Sequence, residues 1–163
     1  MTTVLGIDPG LSGAAAWLDT SGALAVVDMP VLQIDRGKKA KREVDAAGLA
    51  ELVRQHRPDV AIVERVGAMP GQGVTSMFSF GRSAGVIEGV LAGLGVPVTL
   101  VAPAAWKRAL KVQSGKDGAR LRASQLIPAG CGNWRLVKHD GRAEAALLAF
   151  WGLSHSPAIE GRR

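Results

Sequence analysis

Asp8, Glu64, Asp140 and Glu144 are four carboxylates from three distant stretches of a 163-residue chain whose formal net charge is +6. Asp8 lies in Gly6-Ile7-Asp8-Pro9-Gly10, followed by Leu11-Ser12-Gly13. The apolar run Val4, Leu5 and Ile7 delivers the acid to the end of a strand. Pro9 and Gly10 then turn the backbone into a second apolar segment, Ala14-Ala15-Ala16-Trp17-Leu18. This pattern predicts a β-hairpin with an acid at its mouth. An acid at a strand end beside a glycine-rich turn typically holds a divalent metal or faces a phosphate. Asp-Pro-Gly is also ordinary turn chemistry, so the other acids must decide between these readings.

Glu64 ends the apolar run Val60-Ala61-Ile62-Val63, a pattern suited to a buried strand. If the strands ending in Asp8 and Glu64 are neighbours, their carboxylates emerge at one sheet edge. Asp140 and Glu144 open the last helix four residues apart, a spacing that can share one helical face. Converging acids repel one another unless cations occupy the cluster, and a hard divalent metal is the natural partner. Two such ions about 4 Å apart suit in-line attack of water on a phosphodiester.

The elements that must position these acids follow from periodicity and breakers. Strands are expected at about 3–8, 13–19 and 23–29, with Thr20-Ser21-Gly22 as the second turn. The basic stretch 35–43 reads as a loop. A helix starts near the possible cap Asp45, with Leu49, Leu52 and Val53 on one face, and stops before Pro58. After the strand ending in Glu64, a glycine-rich loop (Gly67 to Gly73) leads to a helix over about 75–94, stopped by Gly95 and Pro97. Val98 to Val101 is another strand, Pro103 opens a helix, and further helices are expected at about 118–127 and 141–153. The order is an antiparallel meander joined to parallel βα units, a mixed α/β layered domain in which chemistry gathers where strand ends meet. One domain is expected over 1–155, with 156–163 as a flexible tail.

Composition limits the function classes. A chain with 47% hydrophobic and 21% charged residues reads as globular, not disordered. No apolar run approaches the roughly 20 residues of a membrane span, and the start lacks a signal-peptide layout, so a cytoplasmic protein without a membrane partner is expected. A single Cys131 excludes an internal disulfide framework and cannot build a zinc site unaided. Residues 1–101 hold nine Lys/Arg against ten Asp/Glu, whereas residues 102–163 hold eleven against four. Together with the cluster Arg36, Lys38, Lys39, Lys41 and Arg42, this localised basicity is the footprint of a polyanion binder.

Gly6-Ile7-Asp8-Pro9-Gly10, Ile62-Val63-Glu64-Arg65-Val66, and His139-Asp140 leading to Glu144-Ala145-Ala146 together resemble the RuvC-type Holliday-junction resolvases of the RNase H-like superfamily. Ser79-Phe80-Gly81-Arg82-Ser83-Ala84-Gly85-Val86-Ile87-Glu88-Gly89 is similar to that family's long central helix. Pro103-Ala104-Ala105-Trp106-Lys107, followed by Gly115-Lys116, is similar to its basic DNA-facing region. The likeness spans about residues 3–153.

The resemblance implies an RNase H-like mixed sheet flanked by helices, and a homodimeric endonuclease that cuts four-way DNA junctions without a nucleotide cofactor. It also implies Mg2+, with Mn2+ substituting, at two ions per active site. By position, Asp8, Glu64, Asp140 and Glu144 match the acidic cluster, and Lys107 and Lys116 match cations that contact DNA near the cut. Further candidate DNA contacts are Arg108, Lys111, Arg120, Arg82, Lys38, Lys39 and Lys41, with Met69 a candidate wedge into the junction centre if its loop is more than a connector. This chain departs from the family twice. Glu144 stands where Asp is usual, and Asp140 and Glu144 are four apart where three is common, which leaves open which of the two dominates the site.

Other residues have plainer readings. His139 supports the attacking water or caps its helix, and His56 and His155 are surface residues. Trp17, Trp106, Trp134 and Trp151 are core or interface packing, and Cys131 is an unreactive thiol. Gly81, Ala84, Gly85 and Gly89 permit close backbone approach within the fold or at a dimer contact. Two other functions compete: an actin-like or sugar-kinase phosphate-binding fragment, which needs a second lobe, and a non-catalytic nucleic-acid-binding relative, against which the four acids argue.

Overall fold

The computed structural model describes residues 1–35, 40–68 and 70–155. Arg36, Lys38, Lys39, Met69 and the tail 156–163 lie outside the described residues. The meander forms as expected: β1 (Thr3–Asp8) pairs antiparallel with β2 (Ala14–Asp19), and β2 with β3 (Leu24–Asp28). Farther along, β6 (Val60–Glu64) lies parallel to β1, with Ile7 opposite Val63, and β7 (Val98–Val101) lies parallel to β6. The sheet order is β3-β2-β1-β6-β7, so Asp8 and Glu64 end adjacent parallel strands at the same edge.

The stretch 35–43 is not a loop throughout, because β4 (Val31–Asp35) and β5 (Ala40–Val44) form a separate antiparallel hairpin. The charge lies in β5, where Lys41-Arg42-Glu43 runs without an apolar residue, so alternation is weak in that part of the sequence. Pairing supplies what composition hides. Asp45 caps α1 (Ala46–His56), its side chain accepting the Gly48 N–H at 3.0 Å. The remaining helices are α2 (Val74–Gly93), α3 (Pro103–Ala109), α4 (Gly118–Leu126) and α5 (Asp140–His155). Two short 3-10 turns, Pro128–Trp134 and Val137–His139, lead into α5.

Period-two alternation divides the core into two layers. Leu5, Ile7, Ala15 and Trp17 meet Leu49 and Val53 of α1 and Ile87 and Leu91 of α2. Val4, Ala14, Ala16, Val60 and Ile62 meet α3, α4 and α5 on the opposite face. Asp8 follows Val4 and Gly6 in this alternation, and Glu64 follows Val60 and Ile62, so both acids belong to the α5 side. Gly6 lets α5 settle closely, since a Cβ there would collide with the Ala145 carbonyl and the Ala149 amide. Ala143, Ala145, Ala146, Leu147, Leu148 and Ala149 are consequently fully buried. His56 is half-buried rather than a free surface residue, stacking on Trp17 with ring centroids 4.4 Å apart.

Candidate active site

Three of the four acids converge. Single carboxylate oxygens of Asp8, Glu64 and Glu144 all lie within 4.8 Å of one another, at the end of β1, the end of β6 and the first turns of α5. The approach of α5 is set at its first turn, where a Cβ on Gly141 would meet the Asp8 carboxylate at 2.9 Å and the Ser12 carbonyl at 2.9 Å. Arg142 secures this end of the helix through a two-pronged pair with Asp28 of β3, at 2.6 and 2.7 Å. Asp140 stands outside the group of three, but its Oδ1 is buried and has no hydrogen-bond partner among the described residues.

The electrostatics follow from this crowding. Burial, then the charges of Glu144 and Glu64, push the Asp8 carboxyl up to about 7, against the Gly10 N–H and Lys107, which lower it. Burial raises Glu64, a hydrogen bond from Trp106 opposes it, and Glu144 adds to the rise. Asp140 is raised by burial and by Glu144. Lys107 is the cation the fold brings to the cluster: its Nζ lies 2.6 Å from Glu144 Oε1 and 5.1 Å from the centre of the Trp106 ring. Burial works against its charge, but the bond to Glu144 and the fields of Glu144, Glu64 and Asp140 prevail and raise its pKa.

Three clustered oxygens, a raised Asp8 and a buried orphan oxygen on Asp140 form a donor set whose negative charge Lys107 offsets only in part. Hard divalent cations with oxygen preference fit it; a soft-metal site would need thiolate or imidazole ligands. Asp8, Glu64 and Glu144 can hold such an ion, and Asp140 stands next in line.

The remaining candidates are spread more widely. Arg108, Lys111 and Lys116 are exposed on α3 and the following loop. Arg120 is engaged internally, pairing with Asp117 and donating to the Arg135 carbonyl. Arg82 of α2 and Lys41 of β5 both bind Glu43, at 2.9 and 3.3 Å. Arg42 donates to the Leu11 carbonyl at 3.1 Å, so the hairpin of β4 and β5 is tied to the turn that carries Asp8. Sequence reasoning missed three such partners: the Arg42 link, the Asp28–Arg142 pair and the Trp106 hydrogen bond to Glu64, whose one local signal was its place beside Lys107.

Between the Asp8 turn, β5 and α2 runs a groove of about 1100 Å³. Gly10 to Ser12 line one side, Lys41 and Arg42 another, and Thr75, Ser76, Ser79 and Ser83 supply hydroxyls from α2.

Residues 4–124 match the family model for the crossover junction endodeoxyribonuclease RuvC. A RuvC of that description from Nitratidesulfovibrio vulgaris (strain Hildenborough) is 39% identical over 150 residues, spanning 88% of this chain and 87% of its own. One from Roseiflexus sp. is 29% identical over 173 residues, spanning 99% and 98%. Among solved structures, Thermus thermophilus RuvC in complex with Holliday junction substrate superposes with a TM-score of 0.62 at 16% identity, covering 94% of this chain and 96% of that one. The yeast mitochondrial Holliday junction resolvase Ydc2 superposes at 0.56 and 15% identity, covering 99% and 82%. The mixed five-stranded sheet flanked by helices is thus the RNase H-like fold that the sequence predicted.

Proposed function

From the premise that this chain belongs to the RuvC family of crossover junction endodeoxyribonucleases, we propose that it resolves four-way DNA junctions by metal-dependent hydrolysis of phosphodiester bonds. The observation that carries this reading is the convergence of Asp8, Glu64 and Glu144 at one sheet edge, inside a chain of net charge +6. Mg2+ is the natural ion for an all-oxygen site, with Mn2+ as its substitute, and two ions per site would make use of Asp140 as well. Bound there, such ions lower the pKa of a water and offset charge on the scissile phosphate.

The chain's own groups divide the remaining work. Asp8, once its proton has passed to solvent, and Glu64 from the neighbouring strand are the residues that would hold the ion together with Glu144. Lys107 offsets the charge of Glu144 and would stabilise charge gathering on a phosphoryl oxygen bound at the cluster. Lys116, exposed on the loop before α4, supplies a second cation for the cut strand, and Arg108 and Lys111 are exposed on the segment that precedes it. The groove leading away from Asp8 offers two cations and a row of hydroxyls, which suits a sugar-phosphate backbone. The reaction belongs in the cytoplasm with its DNA.

A junction with two-fold symmetry needs paired nicks, which a two-fold dimer supplies. The α2 face bearing exposed Val74 and Phe78, and Gly81, Gly85 and Gly89 open to close approach, supports such a contact. Light scattering should give a dimer, and a strict monomer both free and on a junction would reject it. The main test compares four-way junction with linear duplex: cleavage should require Mg2+ and favour the junction. Equal cutting of both, or cutting in chelator, would overturn the reading.

A further inference from the structure

The geometry points to Trp106 as a positioning residue for Glu64, holding that carboxylate in its metal-ready orientation; this rests on the metal-site reading above. Val101, the last residue of β7, lies opposite Glu64, and Pro103 starts α3 two residues later. The chain therefore turns back directly over the end of β6. Trp106 lands there fully buried, and its indole N–H donates to Glu64 Oε1 at 2.9 Å.

An indole can only donate, so a buried Trp commits its N–H to whatever acceptor the fold provides. Trp134 gives its N–H to the Ser124 hydroxyl, and Trp17 finds no partner among the described residues. Trp106 alone of these three buried rings donates to an acid of the cluster. The bond occupies one lone pair of Oε1 and leaves the second oxygen free to face an ion. It fixes a side chain with three rotatable bonds before metal arrives, the outer-shell arrangement that sustains metal affinity elsewhere. The same ring lies under the Lys107 ammonium, 5.1 Å from its centre. Two consecutive residues of α3 thereby hold two of the converging acids, Trp106 taking Glu64 and Lys107 taking Glu144.

The test is Mg2+ titration calorimetry on the full chain and on Trp106→Phe, which keeps a buried ring but removes the donor. Mg2+ affinity should fall about tenfold, the low end of the effect of removing an outer-shell partner. In a Glu64→Ala background the same substitution should change residual affinity by less than twofold, because the residue it acts through is gone. Unchanged affinity in the single variant, or a tenfold loss in both backgrounds, overturns the role. Should Trp106→Phe not fold, indole N–H resonances of the unaltered protein serve instead. The Trp106 signal should move with added Mg2+, while that of Trp17, on the other face of the sheet, should stay. A Trp106 signal unmoved at saturating Mg2+ rejects the proposal. A protein that takes up no Mg2+ at all rejects the metal site itself and the Trp106 role with it.

Discussion

At the scale of single residues, Asp8 carries the largest electrostatic strain. Its carboxyl ordinarily titrates near 3.8 but is pushed to about 7 by burial and by Glu144 and Glu64. In the metal-free protein the folded state therefore keeps this proton over a range in which the unfolded chain has lost it. The contribution to stability is complete below about 3.8 and is lost as pH rises through about 7. Asp8→Asn should consequently be more stable than the parent in chelator at pH 7.5, by a few kcal/mol at most. The advantage should vanish near pH 4. Urea denaturation at both pH values checks the sign, and an advantage that grows towards pH 4 would contradict it. The same variant should bind junction DNA while failing to cut it, because the basic surface is intact. Glu144→Asp asks a different question. Glu144 joins the group of three and Asp140 does not, so the extra methylene matches the position at which α5 is held. Shortening it should weaken Mg2+ binding and cleavage at least tenfold, more than Asp140→Asn does, by calorimetry and single-turnover rates. Full activity in Glu144→Asp would show that the site tolerates the shorter reach.

At the scale of elements, the site depends on how deeply α5 sits on β1. Gly6 faces the backbone of Ala145 and Ala149 rather than a flexible side chain, so nothing there can move aside cheaply. Gly6→Ala should cost about 3 kcal/mol, the upper range for overpacking. It should also displace Glu144 from Asp8 and weaken Mg2+ binding in whatever protein remains folded. Thermal unfolding with parallel metal titration separates the two effects, and a fully stable Gly6→Ala with normal metal affinity would mean that α5 has slack. The hairpin of β4 and β5 is a second positioning element, since Arg42 reaches the Leu11 carbonyl and Glu43 binds both Lys41 and Arg82. These cations are partly spent on holding the groove wall, so the hairpin is more than a charged fringe.

At the scale of the whole molecule, basic charge is concentrated in two stretches, the cluster from Arg36 to Arg42 and residues 102–163 with eleven Lys/Arg against four Asp/Glu. The cations of the first basic cluster, among them Lys38, Lys39 and Lys41, should attract phosphate diffusely. Lys116 should act at the cut strand. Neutralising Lys38 and Lys39 should weaken junction binding and flatten its logarithmic salt dependence by about two units, since each phosphate that a cation neutralises adds close to 0.9 to the slope. Neutralising Lys116 should instead slow cleavage of already bound junction. Single-turnover cleavage at saturating protein distinguishes them. A slow Lys38/Lys39 variant beside a normal Lys116 variant would reverse the assignment.

Strand alternation, the acids at the ends of two apolar runs, the Asp45 cap and the Pro103 helix start were all legible in the sequence, because each depends on neighbours a few residues away. So was the resemblance that joined them into one family. The hairpin of β4 and β5 was not, because the charged run Lys41-Arg42-Glu43 shows no apolar alternation and takes its strand form from pairing with β4. Nor could spacing choose between Asp140 and Glu144, since residues four apart share a helical face wherever the helix lies. That choice was made by Gly6 and Gly141, which let α5 approach β1 at one depth and bring Glu144, not Asp140, against Asp8 and Glu64. Likewise, Trp106 is an ordinary core residue until β7 is laid beside β6 and α3 folds back, placing its N–H on Glu64. Local periodicity decides which residues face inward; only packing between segments far apart in the chain decides which atoms meet.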